Sequence, residues 1–416
     1  MNNIENLLKS AVKATSSIKH LDAEKKSDIL HDLANEVLKE TSTIIRTNKK
    51  DFDKMDDFDP KKDRLLLNKE RIEDIVSSII EVSKLADPTD KLLSEVVSEK
   101  GLLIQKKTVP LGVIGVIYES RPNVTLDVAA LCIRSGNVCL LRGGSDAINT
   151  NTLLVKIIRK VLTDHEIDPN IIQLLPVNRD YVDELLSAQQ YVDIIIPRGS
   201  QILIDYVRRN SKIPVIETGA GVCHTFIENT ADLEMAAKIV TNAKITKPSA
   251  CNSLDGIIVE EGIADTFLSF LAKEMASHKV EILADSHAYK TLVGLKYPYL
   301  QRANHEDFGI EFLSLRCTIK VVKDINHALY HISEFSSKHS EAIISNDLEK
   351  IDHFMNEVDA AVVFSNASTR FTDGQVFGLG AEIGISTQKL HARGPFALEK
   401  LVTEKWFVRG NGQVRI

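Results

Sequence analysis

Apolar positions in residues 1–90 recur at helical spacing. Ile4, Leu7, Leu8 and Val12 make one stripe, Ile29, Leu30, Leu33, Val37 and Leu38 a second, and Leu65, Leu67, Ile72, Ile75, Ile79, Ile80 and Val82 a third. Charged residues fill the opposite faces, so amphipathic helices are expected here. From Lys100 the period shortens. Residues 101–118 read as two strands broken near Pro110-Leu-Gly112, exposed enough to form an arm that pairs with another subunit.

An alternation follows. Strands are expected at 138–141, 171–177, 192–196 and 213–216, with helices at 147–163, 179–188 and 200–209 between them. Units of this length predict a parallel, doubly wound sheet that binds its ligand beyond the carboxyl ends of its strands. A helical stretch through Leu233, Ala236, Ala237, Val240 and Ala243 runs into Lys247-Pro248, which should end it, and Ile257 to Val259 reads as a buried strand. Further helices at 262–277, 325–335 and 347–357, with strands at 318–323, 341–345 and 360–365, make a second α/β unit.

Bulk composition narrows the class. The chain has 416 residues, 44% apolar and 26% charged, an ordinary globular balance with room for two or three cores. A net charge of −7 argues against nucleic acid and anionic membranes as partners. Five scattered cysteines without zinc-ligand spacing support neither a disulfide scaffold nor a metal site. No stretch reaches the length of an uncharged membrane span and the N-terminus lacks a signal-peptide core, so a cytoplasmic protein is expected.

Cys251 falls in the turn between the Pro248-terminated helix and the strand, among small residues whose amides can converge on a nucleophilic sulfur. A small half-buried cysteine would fit there equally. Pro197-Arg198-Gly199-Ser200 opens a helix after a strand, which suits a phosphate or simply a capped turn. Arg142, with Gly143 and Ser145, ends another strand; its guanidinium could fork onto a phosphate, and Ser145 would not repel one. Asn123 could donate to an oxyanion or cap the next helix. Glu217, before Thr218 and Gly219, could be a buried general base or a structural carboxylate.

These residues, in this order, resemble the aldehyde dehydrogenase superfamily, and within it the members that reduce an acyl phosphate during proline biosynthesis. The resemblance is carried by Tyr118-Glu-Ser-Arg-Pro-Asn-Val124, Ser135-Gly-Asn-Val-Cys-Leu-Leu-Arg-Gly-Gly144, Ile196-Pro-Arg-Gly199 and Lys247-Pro-Ser-Ala-Cys-Asn252. Near the C-terminus it includes Asn366-Ala-Ser-Thr-Arg-Phe-Thr-Asp-Gly374, Phe377-Gly-Leu-Gly-Ala-Glu382 and Ser386-Thr-Gln-Lys-Leu-His-Ala-Arg-Gly-Pro395. Residues 1–90 and 280–310 contribute little.

The resemblance implies a doubly wound cofactor domain from residues 1–98 and 118–228, a smaller α/β catalytic domain at 229–384, and an oligomerisation arm and tail at 99–117 and 385–416. It implies NADPH-dependent reduction of L-glutamyl 5-phosphate to the semialdehyde, with Cys251 as nucleophile and Asn123 at the oxyanion. Arg142 and Ser145 would sit at the adenosine ribose, Arg198 to Ser200 at the pyrophosphate or adenine side, and Glu311 at the nicotinamide ribose. Arg121, Arg370, Ser386, Thr387 and His391 become candidates for the substrate's amino and carboxylate groups. A homo-oligomer and a partnership with glutamate 5-kinase are also implied, and no metal. Glu217 matches the general base of hydrolytic members, so a water-using semialdehyde dehydrogenase stays open. A non-catalytic nucleotide-binding protein with a structural Cys251 is the remaining rival.

Overall fold

The computed structural model describes residues 3–415 apart from 58, 60, 61 and 218. The chain divides into two compact units: Met1–Thr218 with Gly378–Gly384 and Pro395–Ile416, and Gly219–Phe377 with Ile385–Gly394. Among the described residues no helix is long and apolar enough to cross a membrane.

The first unit is built on a four-stranded parallel sheet in the order Ile172–Leu174, Val138–Arg142, Val113–Tyr118, Ile194–Arg198. The helices Asn123–Ser135 and Ile148–Asp164 are crossovers between its parallel strands. Chain order reverses at the central strand Val113–Tyr118, which pairs with Val138–Arg142 on one side and Ile194–Arg198 on the other. Ligands of such sheets bind at this reversal, beyond the strand ends. All six residues of Val113–Tyr118 are buried, as continuous apolar runs in parallel sheets are. The expected pair of exposed strands is therefore split. The first of them, Leu103–Pro110, lies in a separate antiparallel sheet between Leu92–Val97 and Val402–Arg409. The strand expected at 213–216 is reduced to one parallel bridge between Ile195 and Val215, because Pro214 has no amide for a ladder.

The second unit holds a seven-stranded parallel sheet: Leu300–Arg302, Glu281–Ala284, Arg316–Val322, Leu254–Glu260, Cys223–Ile227, Ser340–Ile344, Val362–Ser365. One face packs into a core with Val240, Phe267, Leu271 and Met275, the other with Ala328, Ile332, Ile351 and Phe354. Helices thus cover both faces, and the C-terminal helix and strand expectations at 325–365 agree with helices Ile325–Phe335 and Leu348–Glu357 and strands Ser340–Ile344 and Val362–Ser365.

Candidate active site

The helix Leu233–Ile245 stops short of Pro248, and the strand Leu254–Glu260 starts after a tight turn in which Ala250 N donates to Lys247 O at 3.0 Å and Ser253 N to Ala250 O at 3.0 Å. Cys251 occupies that turn half-buried, whereas the other four cysteines are buried. Burial pushes the thiols of Cys139 and Cys223 well up and that of Cys317 to about 12, so none of these three is poised to ionise.

Neighbouring groups pin the turn from several sides. Asn252 Nδ2 donates to Thr372 O at 2.8 Å and Arg370 O at 3.3 Å, and Thr369 Oγ1 donates to Asn252 O at 2.8 Å. The Arg370 guanidinium donates to Asn252 Oδ1. Its own pKa is lowered by burial, against which the charges of Cys251 and Asp373 act. The Cys223 thiol donates to Cys251 O at 3.3 Å. On the last side lies Gly221, where a Cβ would fall 1.5 Å from Cys251 O. Only glycine fits, and its amide donates to Glu311 Oε1 at 2.9 Å. The segment after Glu311 is moored from below: Phe312 N donates to Asp255 Oδ1 at 3.3 Å, and buried Lys244 donates to Asp255 Oδ1 and Ser314 O, each at 3.2 Å.

In the first unit Pro122 takes the N-cap and Asn123 is the first helical residue. Asn123 is not the side-chain cap: its Nδ2 donates to Asp127 Oδ2 at 3.0 Å, one turn along. Loss of solvation pushes the Asp127 carboxyl up to about 6, only partly offset by Asn123 and the charge of Arg198.

Around the strand ends, Arg142 donates to Val177 O at 2.8 Å, and its buried Nε finds no partner among the described residues. Burial and nearby Arg179 lower its pKa against Asp146 and Glu119. A Cβ at Gly143 would lie 2.3 Å from Asn151 Nδ2, and Ser145, exposed, opens a short 3-10 turn. Pro197 and Arg198 end their strand and Gly199 links it to the helix Gln201–Asn210, which Ser200 caps. The amide expected to meet a phosphate is occupied: Ser200 N donates to Glu119 Oε2 at 2.9 Å. A phosphate there has to displace this carboxylate.

The remaining expected residues are spread over both units. Glu217, half-buried, lies 3.7 Å from Arg208. Thr218 lies outside the described residues. A Cβ on Gly219 would sit 3.2 Å from Thr387 Oγ1. Ser386 is buried, with its Oγ accepting from Gln388 N at 3.3 Å, and His391 is exposed in the left-handed region at φ 65°. Arg121 is half-buried in the turn before Asn123, its carbonyl accepting from Val124 N at 3.0 Å. Sequence reasoning missed Asp127, Asn252, Gly221 and Lys244. The Asn123/Asp127 spacing of one helical turn was the available signal for the first of these.

Residues 1–291 match the model of the aldehyde dehydrogenase family. The gamma-glutamyl phosphate reductase of Chlorobaculum parvum is 50% identical over 98% of this chain and 97% of its own. The chain belongs to the aldehyde dehydrogenase family, among its gamma-glutamyl phosphate reductases. The reductase of Legionella pneumophila is 49% identical over 99% of both chains. The crystal structure of the gamma-glutamyl phosphate reductase of Thermotoga maritima superposes with a TM-score of 0.94 at 38% identity, covering all of both chains. Membership in this reductase group brings a nicotinamide cofactor. The unpartnered Arg142 Nε fits a bound anionic group at the sheet reversal.

Proposed function

We propose that this chain acts through a thioester on Cys251. It is an oxidoreductase of proline biosynthesis that converts L-glutamyl 5-phosphate to L-glutamate 5-semialdehyde and phosphate. The observation that carries the residue assignment is that Cys251 alone stands outside the core, in a turn whose backbone is held by Gly221, Asn252 and Cys223. Its thiolate attacks the acyl carbon; the carbon–oxygen bond to phosphorus breaks and phosphate leaves with that electron pair. Asn123 donates to the oxyanion that forms. When bound, the reduced nicotinamide supplies hydride to the thioester carbonyl. Collapse of the resulting thiohemiacetal releases the aldehyde, and the sulfur leaves as the thiolate.

NADPH is the proposed cofactor, with Arg142, Gly143 and Ser145 at the adenosine ribose, Pro197 to Ser200 beside it, and Gly219 and Glu311 toward the nicotinamide. Arg370 is the leading candidate for an anionic substrate group because it already lies on Asn252, beside Cys251. Arg121, Ser386, Thr387 and His391 stay candidates for the rest of the substrate. Glu217 is within ion-pair range of Arg208, so phosphate rather than a Glu217-activated water is proposed to resolve the thioester in the reverse direction.

The sheet containing Leu92–Val97 and Val402–Arg409 exposes Leu92, Val96, Val97, Trp406 and Val408, which supports a homo-oligomer formed through it. We further propose a cytoplasmic location and delivery of the labile acyl phosphate by glutamate 5-kinase. Cys251→Ala tests the assignment: turnover and acyl-protein, read by intact mass after mixing with L-glutamyl 5-phosphate, are both expected to vanish. Near-normal turnover in that variant removes Cys251 from the mechanism.

A further inference from the structure

Among the described residues the fully buried acidic side chains are all engaged. Asp51 accepts from the amides of Asn149 and Thr150 and from both of their side chains. Glu228 accepts from Lys350, Thr230 and Ser345. Glu341 accepts from His224 and Ser336, and Asp255 from Lys244 and the Phe312 amide. Asp127, half-buried, differs from them. It stands on a helix otherwise lined by buried Val124, Leu126, Val128, Ala129, Ala130 and Leu131. Among the described residues its carboxylate makes one hydrogen bond, from the uncharged Asn123 amide, and no ion pair.

An ionised carboxylate that has lost part of its solvation and has no cation beside it gains by meeting one. Loss of solvation, offset in part by the Asn123 hydrogen bond and the charge of Arg198, raises its pKa to about 6; at neutral pH it is a half-exposed anion with one uncharged partner, open to a cation. The substrate brings one. Its α-ammonium is separated from the reacting carbonyl by the γ, β and α carbons. Asn123 Nδ2 and Asp127 Oδ2 lie 3.0 Å apart, so an oxyanion on the first and an ammonium on the second can belong to one short carbon chain. The hydrogen bond between them also fixes which face of the Asn123 amide is which. A carboxylate accepts only from Nδ2, so the second N–H on that nitrogen is left for the oxyanion.

We infer that Asp127 binds the α-ammonium of the substrate, while Asn123, its neighbour on the helix, addresses the carbonyl at the other end. The inference rests on the reading of Asn123 as oxyanion donor. It makes Asp127 the residue that selects an amino-bearing semialdehyde over a deaminated one.

The test is a ratio. Wild type and Asp127→Asn are assayed in the oxidative direction, with NADP⁺ and phosphate, on glutamate 5-semialdehyde and on 5-oxopentanoate, which has the same chain and carboxylate but no ammonium. A hydrogen-bonded charge contact is worth about 1.5–3 kcal/mol, so the wild-type preference in kcat/KM for the amino substrate is expected to shrink by roughly 10–100-fold in the variant. The KM for NADP⁺ should stay unchanged, and a thermal melt checks that the variant is folded. Equal losses on the two aldehydes overturn the inference, because they mean that Asp127 only orients Asn123. No loss on either overturns it too. Failure of the underlying reading looks different. Asn123→Ala would then turn over both aldehydes at the wild-type rate, while the Asp127→Asn ratio still decides the ammonium site.

Discussion

Replacing Gly221 by alanine places a methyl group inside the backbone of the Cys251 turn. The new Cβ would lie 1.5 Å from Cys251 O, 2.4 Å from its carbonyl carbon and 2.8 Å from its Cα. Carbon–carbon and carbon–oxygen contacts settle near 3.5 Å, so one of the two segments has to move by about 2 Å. Rotamer changes cannot relieve it, because all three atoms are backbone. The Cys223 thiol contact to the same carbonyl and the Gly221 amide contact to Glu311 Oε1 go with that movement. Overpacking of this kind destabilises by about 1–3 kcal/mol, which a protein of this size survives. The catalytic effect is larger, since a misplacement of about 1 Å at a reacting group can lower the rate about 100-fold. Gly221→Ala is therefore expected to fold, to melt a few degrees lower, and to lose at least about 100-fold in kcat/KM. Steady-state kinetics, a thermal melt and the rate of Cys251 alkylation by iodoacetamide read the three quantities. A variant with wild-type kinetics and an unshifted melt would refute the idea that this glycine shapes the nucleophile's turn.

Three further outcomes follow from the same geometry. Asp127 has its carboxyl raised to about 6 by desolvation, against an ordinary value near 3.8. Its ionisation therefore weighs increasingly against the native state from about pH 4 to pH 6, reaching roughly 2–3 kcal/mol above that. Asp127→Asn should be more stable than wild type above pH 6, with the gain gone below about pH 4; parallel stability curves at pH 4 and pH 8 would contradict this. Lys244→Met leaves Asp255 buried beside Ser314 without its cation, a loss of about 3–5 kcal/mol. Denaturant titration should record it, and the double variant Lys244→Met/Asp255→Leu should recover much of the loss; a single variant as stable as wild type would dispose of the buried pair. Glu119 holds the Ser200 amide; if pyrophosphate binds there, Glu119→Gln should lower KM for NADPH, by a few-fold for a helix-terminus charge worth about 1 kcal/mol. An unchanged or raised KM would put the pyrophosphate elsewhere.

Periodicity made much of the architecture legible, and the exceptions have identifiable causes. Apolar stripes in 1–90 fold as the helices Asn3–Ile18, Ala23–Lys39 and Lys69–Lys84, as their spacing requires. The interior strand Cys223–Ile227 escaped notice because its sequence, Cys-His-Thr-Phe-Ile, looks polar. It is buried only because Glu341 accepts from the His224 amide and ring, at 3.0 and 3.2 Å, a partner 117 residues away. The strand Glu281–Ala284 and the edge strand Leu300–Arg302 flank a short helix, Ser286–Gly294, in a stretch with little periodic signal. At the site, Cys251 could be found from a proline-stopped helix followed by a strand. Gly221 could not, since its constraint is a contact with a segment 30 residues on. Nor could the Glu119 contact with Ser200, which depends on two adjacent strand ends meeting where the sheet reverses.

The central claim is that phosphate, not water, exchanges with the Cys251 thioester. It is tested by running the reaction backwards with purified protein, glutamate 5-semialdehyde and NADP⁺, following NADPH with and without inorganic phosphate. NADPH is expected to accumulate only when phosphate is present. Equal rates without phosphate would contradict it and make Glu217 the base of a hydrolytic enzyme.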